Sequence, residues 1–299
     1  MFLTISRVTR RRTPPRLARQ ELAGLWTGTV ALMTTEPTDP TATYLRALAG
    51  GDVDAVHALF AGEPLIEDPR HGRVAGNDAL RDFVAAQVTW MREGDLTLKP
   101  IRTTIGPTRS LSEWLATLTV QGARTELPIA VVGDRTPAGV LTAIRVYHSQ
   151  WPLLGSHRLR GPILPEDPDL VIPDVVGSYM AALGSGDLQG SLSVFEPDGY
   201  FREPSGGPYV YRGREGILAA YGAFYRVGPI HLRHCTVIDD GVACGVEFIA
   251  DGWGPRPFPP QAGIGVYERG ASGLLCAARI YDDVDVDLGL LPAQPRHAG

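Results

Sequence analysis

Apolar positions follow two different rhythms along this chain, and the switch between them occurs twice. From Thr43 to Val88 the spacing is helical. Thr43 to Leu48 begins a first helix that Gly50-Gly51 ends. Asp52 is placed to cap a second short helix through Val53, Val56 and Phe60, which Pro64 stops. A short strand, Leu65 to Glu67, leads into Asp68-Pro69. Gly76-Asn77-Asp78 opens a third helix whose stripe is Leu80, Phe83, Val84, Gln87 and Val88. Beyond it the period drops to two. Leu96 and Leu98 alternate with polar residues, and strands are predicted over 111–120, 126–132 and 140–148, separated by glycine-containing turns.

The second half repeats this order. YLRALAGGDVDAVHALFAGEPLIEDP at 44–69 answers to YMAALGSGDLQGSLSVFEPDGYFREP at 179–204, ungapped, at an offset of 135. Tyr44 matches Tyr179, Asp52 matches Asp187, Phe60 matches Phe195, and Asp68 becomes Glu203. Gly213-Arg214-Glu215 opens another third helix, with Ile217, Leu218, Tyr221 and Phe224 on its face. Strands follow near 230–238, 242–250, 261–268 and 273–281, and IRVYHS at 144–149 matches ARIYDD at 278–283. Helices followed by a meandering sheet make an α+β pattern. The expected architecture is two tandem cone-shaped domains, each with three N-terminal helices packed on a curved, mixed or antiparallel sheet. The expected edges are a tail at 1–40, domains at 41–150 and 174–287, and a tail at 288–299. Between the domains, the five prolines of 151–173 predict an extended linker.

Composition narrows the function classes. Apolar content of 44% and charged content of 20% over 299 residues are globular values. A net charge of -5 argues against nucleic acid as a partner. No apolar run is long enough to predict a spanning helix. Cys235, Cys244 and Cys276 have no motif spacing and read as reduced, buried thiols of a cytoplasmic protein. Six arginines between Arg7 and Arg19 precede an uncharged stretch, Leu22 to Met33, which outlines a secretory signal. Glycines and threonines interrupt that stretch and no small-x-small site follows, so the expectation is a disordered extension or a mis-called one, with the true start then at Met33. His231 and His234 fall on opposite faces of a strand, and no His/Cys/Asp cluster or phosphate loop predicts a metal or cofactor.

The run Tyr44…Gly51-Asp52…Ala58-Leu59-Phe60…Ile66-Glu67-Asp68-Pro69…Gly76…Ala79-Leu80 resembles ketosteroid isomerase, of the wider nuclear transport factor 2-like and SnoaL-like group of cone folds. The resemblance spans most of both halves. It implies a catalytic base at Asp68 and an oxyanion-hole tyrosine at Tyr44, twenty-four residues upstream. The family's protonated second acid would follow a Pro-Ile pair, but here Pro128-Ile129 is followed by Ala130, and neither Ala262 nor Ile264 serves in the second half. The tandem arrangement also resembles two-domain polyether epoxide hydrolase/cyclases. That resemblance implies a second acid about twenty-seven residues on, where Asp95 stands in the first half and Ile230 in the second.

The residues have their own chemistry. A carboxylate at the mouth of an apolar cone loses solvation, and its pKa is expected to rise toward that of a working base. Asp68 and Glu203 are so placed, with turn acids as the plain alternative. Tyr44 and Tyr179 are expected either to donate to a developing oxyanion or to be core tyrosines. Glu113 and Glu247 lie mid-strand beside Trp114 and Phe248. On a concave face Glu113 would pair with Asp68 as acid and base; on a convex face it would be solvated or at a dimer surface. Phe83, Phe224, Trp114, Phe248, Tyr147, His148 and Tyr281 are the expected ligand contacts, His148 being also a candidate acid/base group or, as the favoured reading, simply a strand-end histidine. Arg145 and Arg279 are expected to pair with acids on the sheet. SGGPYVYRG at 205–213 reads as a turn-rich loop or a lid. The leading expectation is a cofactor-free isomerase, epoxide hydrolase or cyclase acting on a small apolar substrate in one or both domains. The rivals are a binding or dimerisation module, and one active domain beside one scaffold. The fused copies would form a pseudo-dimer, with a homodimer also possible.

Overall fold

The computed structural model describes residues 39–281 apart from 205, 207 and 208; the tails expected at either end lie almost wholly outside this range. In the first domain α1 (Pro40–Gly50), α2 (Val53–Ala58), β1 (Leu65–Asp68), β2 (Gly72–Ala75) and α3 (Asn77–Glu93) precede β3 (Thr97–Ile105), β4 (Arg109–Val120), β5 (Ala123–Arg135) and β6 (Leu141–Tyr147). Local chemistry sets the ends. The Asp39 carboxylate accepts the N–H groups of Thr41 and Ala42, Pro40 enters the first turn, and Gly51 leaves at φ 71°. Asp52 caps α2 through the N–H of Ala55.

After α4 (Trp151–Leu154), the second domain runs α5 (Asp174–Ser185), α6 (Leu188–Ser193), β7 (Phe195–Arg202), β8 (Val210–Arg212), α7 (Gly213–Phe224), β9 (Ile230–Asp239), β10 (Ala243–Trp253), β11 (Arg256–Arg269) and β12 (Leu275–Tyr281). The two sheets have matching orders, β2-β1-β6-β5-β4-β3 and β8-β7-β12-β11-β10-β9. In each, one pair is parallel (β1 with β6, β7 with β12) and the rest are antiparallel. The fold is thus two tandem α+β domains with mixed six-stranded sheets. No helix among the described residues is long and apolar enough to cross a membrane.

Two expectations are corrected. The linker is not extended throughout: Trp151–Leu154 forms one helical turn, because Pro152 falls at its start, where a missing N–H is harmless. Strands β2 and β8 were not foreseen; β8 lies inside the stretch read as a loop and pairs with β7.

Each domain encloses an apolar core between helices and sheet. A third cluster lies between the domains, where Leu111, Ala130, Val132 and Tyr147 meet Ile238, Ile264, Val266 and Tyr281. Period two explains the division in β4: Trp114, Ala116 and Leu118 face the first core, while Leu111 and Glu113 face the other domain. Two ion pairs related by the repeat cross this interface. Arg145 donates Nε and Nη2 to Glu247 at 2.6 and 2.9 Å, and Tyr147 and Thr236 add hydroxyls at 2.7 and 2.5 Å. Arg279 donates to both oxygens of Glu113 at 2.7 Å, with the Tyr281 hydroxyl also at 2.7 Å. Each arginine reaches a further acid on its own sheet, Asp134 and Glu268 respectively. Glu113 and Glu247 are both 1% exposed, and only such multiple hydrogen bonding offsets the desolvation of these charges.

Candidate functional site

Strand β1 ends at Asp68, and Pro69 turns the chain sharply after it. The buried carboxylate closes that turn on itself. Its Oδ1 accepts the backbone N–H groups of Arg70 at 2.8 Å and His71 at 2.9 Å, and the His71 ring nitrogen Nδ1 at 3.1 Å. From α3, the Gln87 side chain donates to Oδ2 at 3.2 Å. Arg70 reaches the Gln87 carbonyl at 3.2 Å and stacks 3.9 Å from the Trp90 ring centroid. His71 packs edge-on against Phe83. The buried His148 ring also faces this carboxylate closely enough to interact with it electrostatically, its Nδ1 lying 3.1 Å from the Ser149 carbonyl.

These neighbours reverse the expected electrostatics. Burial is the largest influence on Asp68 and pushes its pKa up, but the His71 hydrogen bond, the His148 charge and the two backbone N–H groups together outweigh it, and the carboxyl ends below its ordinary value. Asp68 is therefore held ionised. The pKa of His148 also lies below that of a free imidazole: burial holds it down, against the pull of Asp68.

Tyr44, from α1, is wholly buried. Burial first, and the Asp68 charge second, drive its pKa well above the usual value, so it stays protonated. Its hydroxyl finds no hydrogen-bond partner among the described residues, and neither does the indole N–H of Trp114, which borders the same core. Two buried, unused donors are costly, about 1–3 kcal/mol each.

The second domain departs from this plan. Buried Glu203 takes a 2.7 Å hydrogen bond from Tyr211, and burial raises its pKa despite that bond. Tyr179, the counterpart of Tyr44, has spent its hydroxyl on a short hydrogen bond to the Tyr221 hydroxyl. The inward faces of α3 and α7 superpose in sequence. Leu80, Phe83, Val84 and Gln87 become Ile217, Ala220, Tyr221 and Phe224. Phe224 thus stands where Gln87 serves Asp68. In the sheets, Gly133 opposite Ile144 becomes Tyr267 opposite Ala278. Gly265 leaves room for that ring, since a Cβ there would strike the Tyr267 hydroxyl. Tyr179 meets Phe195, Tyr221 and Tyr267 at centroid distances of 5.9, 6.2 and 5.2 Å, so rings fill the second interior.

Two segments, residues 41–148 and 176–276, match the profile of the SnoaL-like domain family. The chain belongs to that family. No curated protein matches it. Among solved structures it is similar to the epoxide hydrolase/cyclase-like enzyme SalBIII of pyran ring formation in polyether salinomycin: 27% identity over 36% of this chain and 85% of that one, TM-score 0.29. A ketosteroid isomerase-like-fold protein from Catenulispora acidiphila, solved with trimethylamine, is 17% identical over 40% of this chain and 93% of its own, TM-score 0.34. A computationally designed 17-OHP binder is 18% identical over 38% and 90%, TM-score 0.31.

Within the SnoaL-like domains the other expected site residues scatter. Asp95 occupies a tight turn at φ 45° after α3, its side chain is 87% exposed, and it pairs with Arg124. Glu113 and Glu247 form no acid/base pair with Asp68 or Glu203; both are consumed by arginines of the opposite domain. Tyr147 and Tyr281 serve those same glutamates, so neither hydroxyl faces a cone. Trp114 and Phe83 border the first core, Phe224 lies in the second, and Phe248 is buried. Arg70, His71 and Gln87 were missed as partners of Asp68. Gln87 carried a signal, being a lone amide in the apolar stripe of α3. His71 carried only its spacing of three from Asp68.

Proposed function

We propose that the first SnoaL-like domain performs cofactor-free acid/base chemistry on a small, mostly apolar ligand bearing a carbonyl or epoxide oxygen, and that the second domain supports it. The observation that carries this reading is the unpartnered Tyr44 hydroxyl, buried within the electrostatic reach of ionised Asp68. A ligand oxygen would take that hydrogen bond, and the bond would strengthen as negative charge develops on the oxygen. Asp68 needs no prior deprotonation. Among the described residues its Oδ2 has the Gln87 amide as its one hydrogen-bond partner, which leaves a lone pair to receive a proton or to polarise a nucleophile. His71 and Gln87 fix its orientation. A low carboxylate pKa weakens the base, so the reaction depends on Tyr44 lowering the energy of the charged intermediate. In the second domain the matching tyrosine hydroxyl is already engaged and the interior holds rings, which favours the reading of one active domain and one supporting domain.

The test is turnover of a panel of β,γ-unsaturated ketones, followed by the ultraviolet absorbance of the conjugated product, and of apolar epoxides, followed by diol or cyclic ether formation. Asp68→Asn is expected to lower kcat by about 10²–10⁴-fold on whichever substrate the protein turns over. Unchanged turnover in that variant sinks the assignment.

A further inference from the structure

We infer that Glu247, a residue of the second domain, is a positioning residue of the first-domain site: it holds strand β6 so that His148, which directly follows the strand, stays against Asp68. The inference rests on the acid/base reading for its functional meaning, and it gives the supporting domain a definite task.

Period two divides β6 between two jobs. In the parallel pairing of β1 with β6, Ile66 lies opposite Ile144 and Glu67 opposite Arg145, which brings Asp68 into register with the end of β6. Ile144 and Val146 join Ile66 in the first core. His148 follows at the same parity, is 5% exposed, and bears electrostatically on the Asp68 carboxylate. The Ser149 carbonyl, which can only accept, takes the ring N–H at Nδ1 over 3.1 Å. The alternate positions, Arg145 and Tyr147, end on Glu247. Arg145 donates to it at 2.6 and 2.9 Å, and Tyr147 at 2.7 Å. One stretch of backbone thus carries contacts to Glu247 on one side and a neighbour of Asp68 on the other.

The hold is firm on the second-domain side. Glu247 lies within β10, paired on both sides by β9 and β11, and takes a further hydrogen bond from Thr236 at 2.5 Å. A buried carboxylate bonded this many times leaves Arg145 and Tyr147 little freedom. Arg160 of the linker adds a third point. Its Nη1 donates to the Val146 carbonyl at 2.6 Å, and its own carbonyl accepts the N–H of Ala262 in β11 at 2.9 Å. Arg145, Val146 and Tyr147 are therefore all held from beyond the first domain, immediately before His148. A rigid strand fixed in this way can carry coupling between domains.

The charged groups that face His148 are Asp68, Arg70 and Arg160. Burial is the largest influence on the ring and holds its pKa down; the two arginines add to this, and Asp68 opposes it. Release from the strand end would return the ring to solvent and raise that pKa. Losing the negative charge of Glu247 would by itself act the opposite way, so a rise cannot be a direct charge effect. The repeat supplies a matched control. Glu113 binds Arg279 and Tyr281 at 2.7 Å, an equally buried arrangement that grips β12 instead of β6.

The experiment is an NMR titration of the imidazole signals of the full chain. The chain has seven histidines, and the His148 signal is the one missing from His148→Gln. Glu247→Gln is expected to raise the pKa of His148, Tyr147→Phe to raise it less, and Glu113→Gln to leave it in place. An unchanged or lowered His148 pKa in Glu247→Gln, or an equal rise in Glu113→Gln, would overturn the proposal. If Glu247→Gln does not fold, Tyr147→Phe decides: a rise upholds the proposal and an unchanged titration rejects it. The same variants are assayed on whichever substrate the natural chain turns over. There kcat is expected to fall about 2–30-fold, the size of coupling through such a network, with KM nearly unchanged. Full kcat in a variant whose His148 pKa has risen rejects the positioning role. A natural chain that turns over no substrate defeats the acid/base reading instead, and the titration still decides whether Glu247 fixes His148.

Discussion

Tyr44→Phe and Tyr179→Phe are the same substitution at repeat-related positions, yet they should shift stability in opposite directions. Both rings are buried, and removing one oxygen leaves almost no cavity. At Tyr44 the lost hydroxyl has no partner among the described residues, so its removal relieves a desolvation penalty of about 1–3 kcal/mol. At Tyr179 the lost hydroxyl is bonded to that of Tyr221, so its removal strands a buried donor and costs about 1–3 kcal/mol. The two variants should therefore differ by about 2–6 kcal/mol, the sum of those two effects. At about 2–4 °C per kcal/mol for a chain of this size, their melting temperatures should separate by at least about 4 °C. Urea unfolding followed by far-ultraviolet circular dichroism gives the free energies, and calorimetry gives Tm. Tyr44→Phe should gain stability while losing activity, as expected where a binding group is held unsatisfied. Equal destabilisation by both substitutions would refute the reasoning, because it would mean that the Tyr44 hydroxyl is hydrogen-bonded in the free protein.

Three further outcomes are expected. Glu247→Gln leaves Arg145 buried beside a neutral partner and should cost about 3–5 kcal/mol in urea unfolding, whereas Arg145→Met with Glu247→Leu should recover most of that loss. Asp68, with its native pKa depressed, should contribute stability that is fully present above its unfolded value near pH 4 and is lost as pH falls through the native value, so the gap between the natural chain and Asp68→Asn should close in acid. Glu203, with its native pKa raised, should oppose folding increasingly as pH rises past its unfolded value, so Glu203→Gln should be more stable than the natural chain at pH 7 and equal to it near pH 3.

The fold was legible because the repeat shows the switch from helical to alternating spacing twice, and because caps such as Asp52 and Asp187 act within three residues of themselves. The short strands β2 and β8 were not, since three or four residues carry no usable period and their pairing is set by β1 and β7. Asp68, Glu203 and the two tyrosines stood out by position. Their environments did not. The partners of Asp68 come from a turn, from α3 and from the end of β6, and only the folded chain brings these together. The role of Glu113 and Glu247 turned on which face of the sheet is covered, and period two gives two faces without saying what lies against either. The contrast between interiors was written in the sequence as Gln87 against Phe224 and Gly133 against Tyr267, but it became visible only once structural register replaced the ungapped alignment.

The account's central claim is that one domain carries the chemistry and the other supports it. The most direct measurement is kcat of Asp68→Asn and of Glu203→Gln on the same substrate, each checked for native circular dichroism. The account predicts a loss of about 10²-fold or more for Asp68→Asn and a change within about threefold, no more than an ordinary indirect effect, for Glu203→Gln. A larger loss in Glu203→Gln than in Asp68→Asn would contradict it.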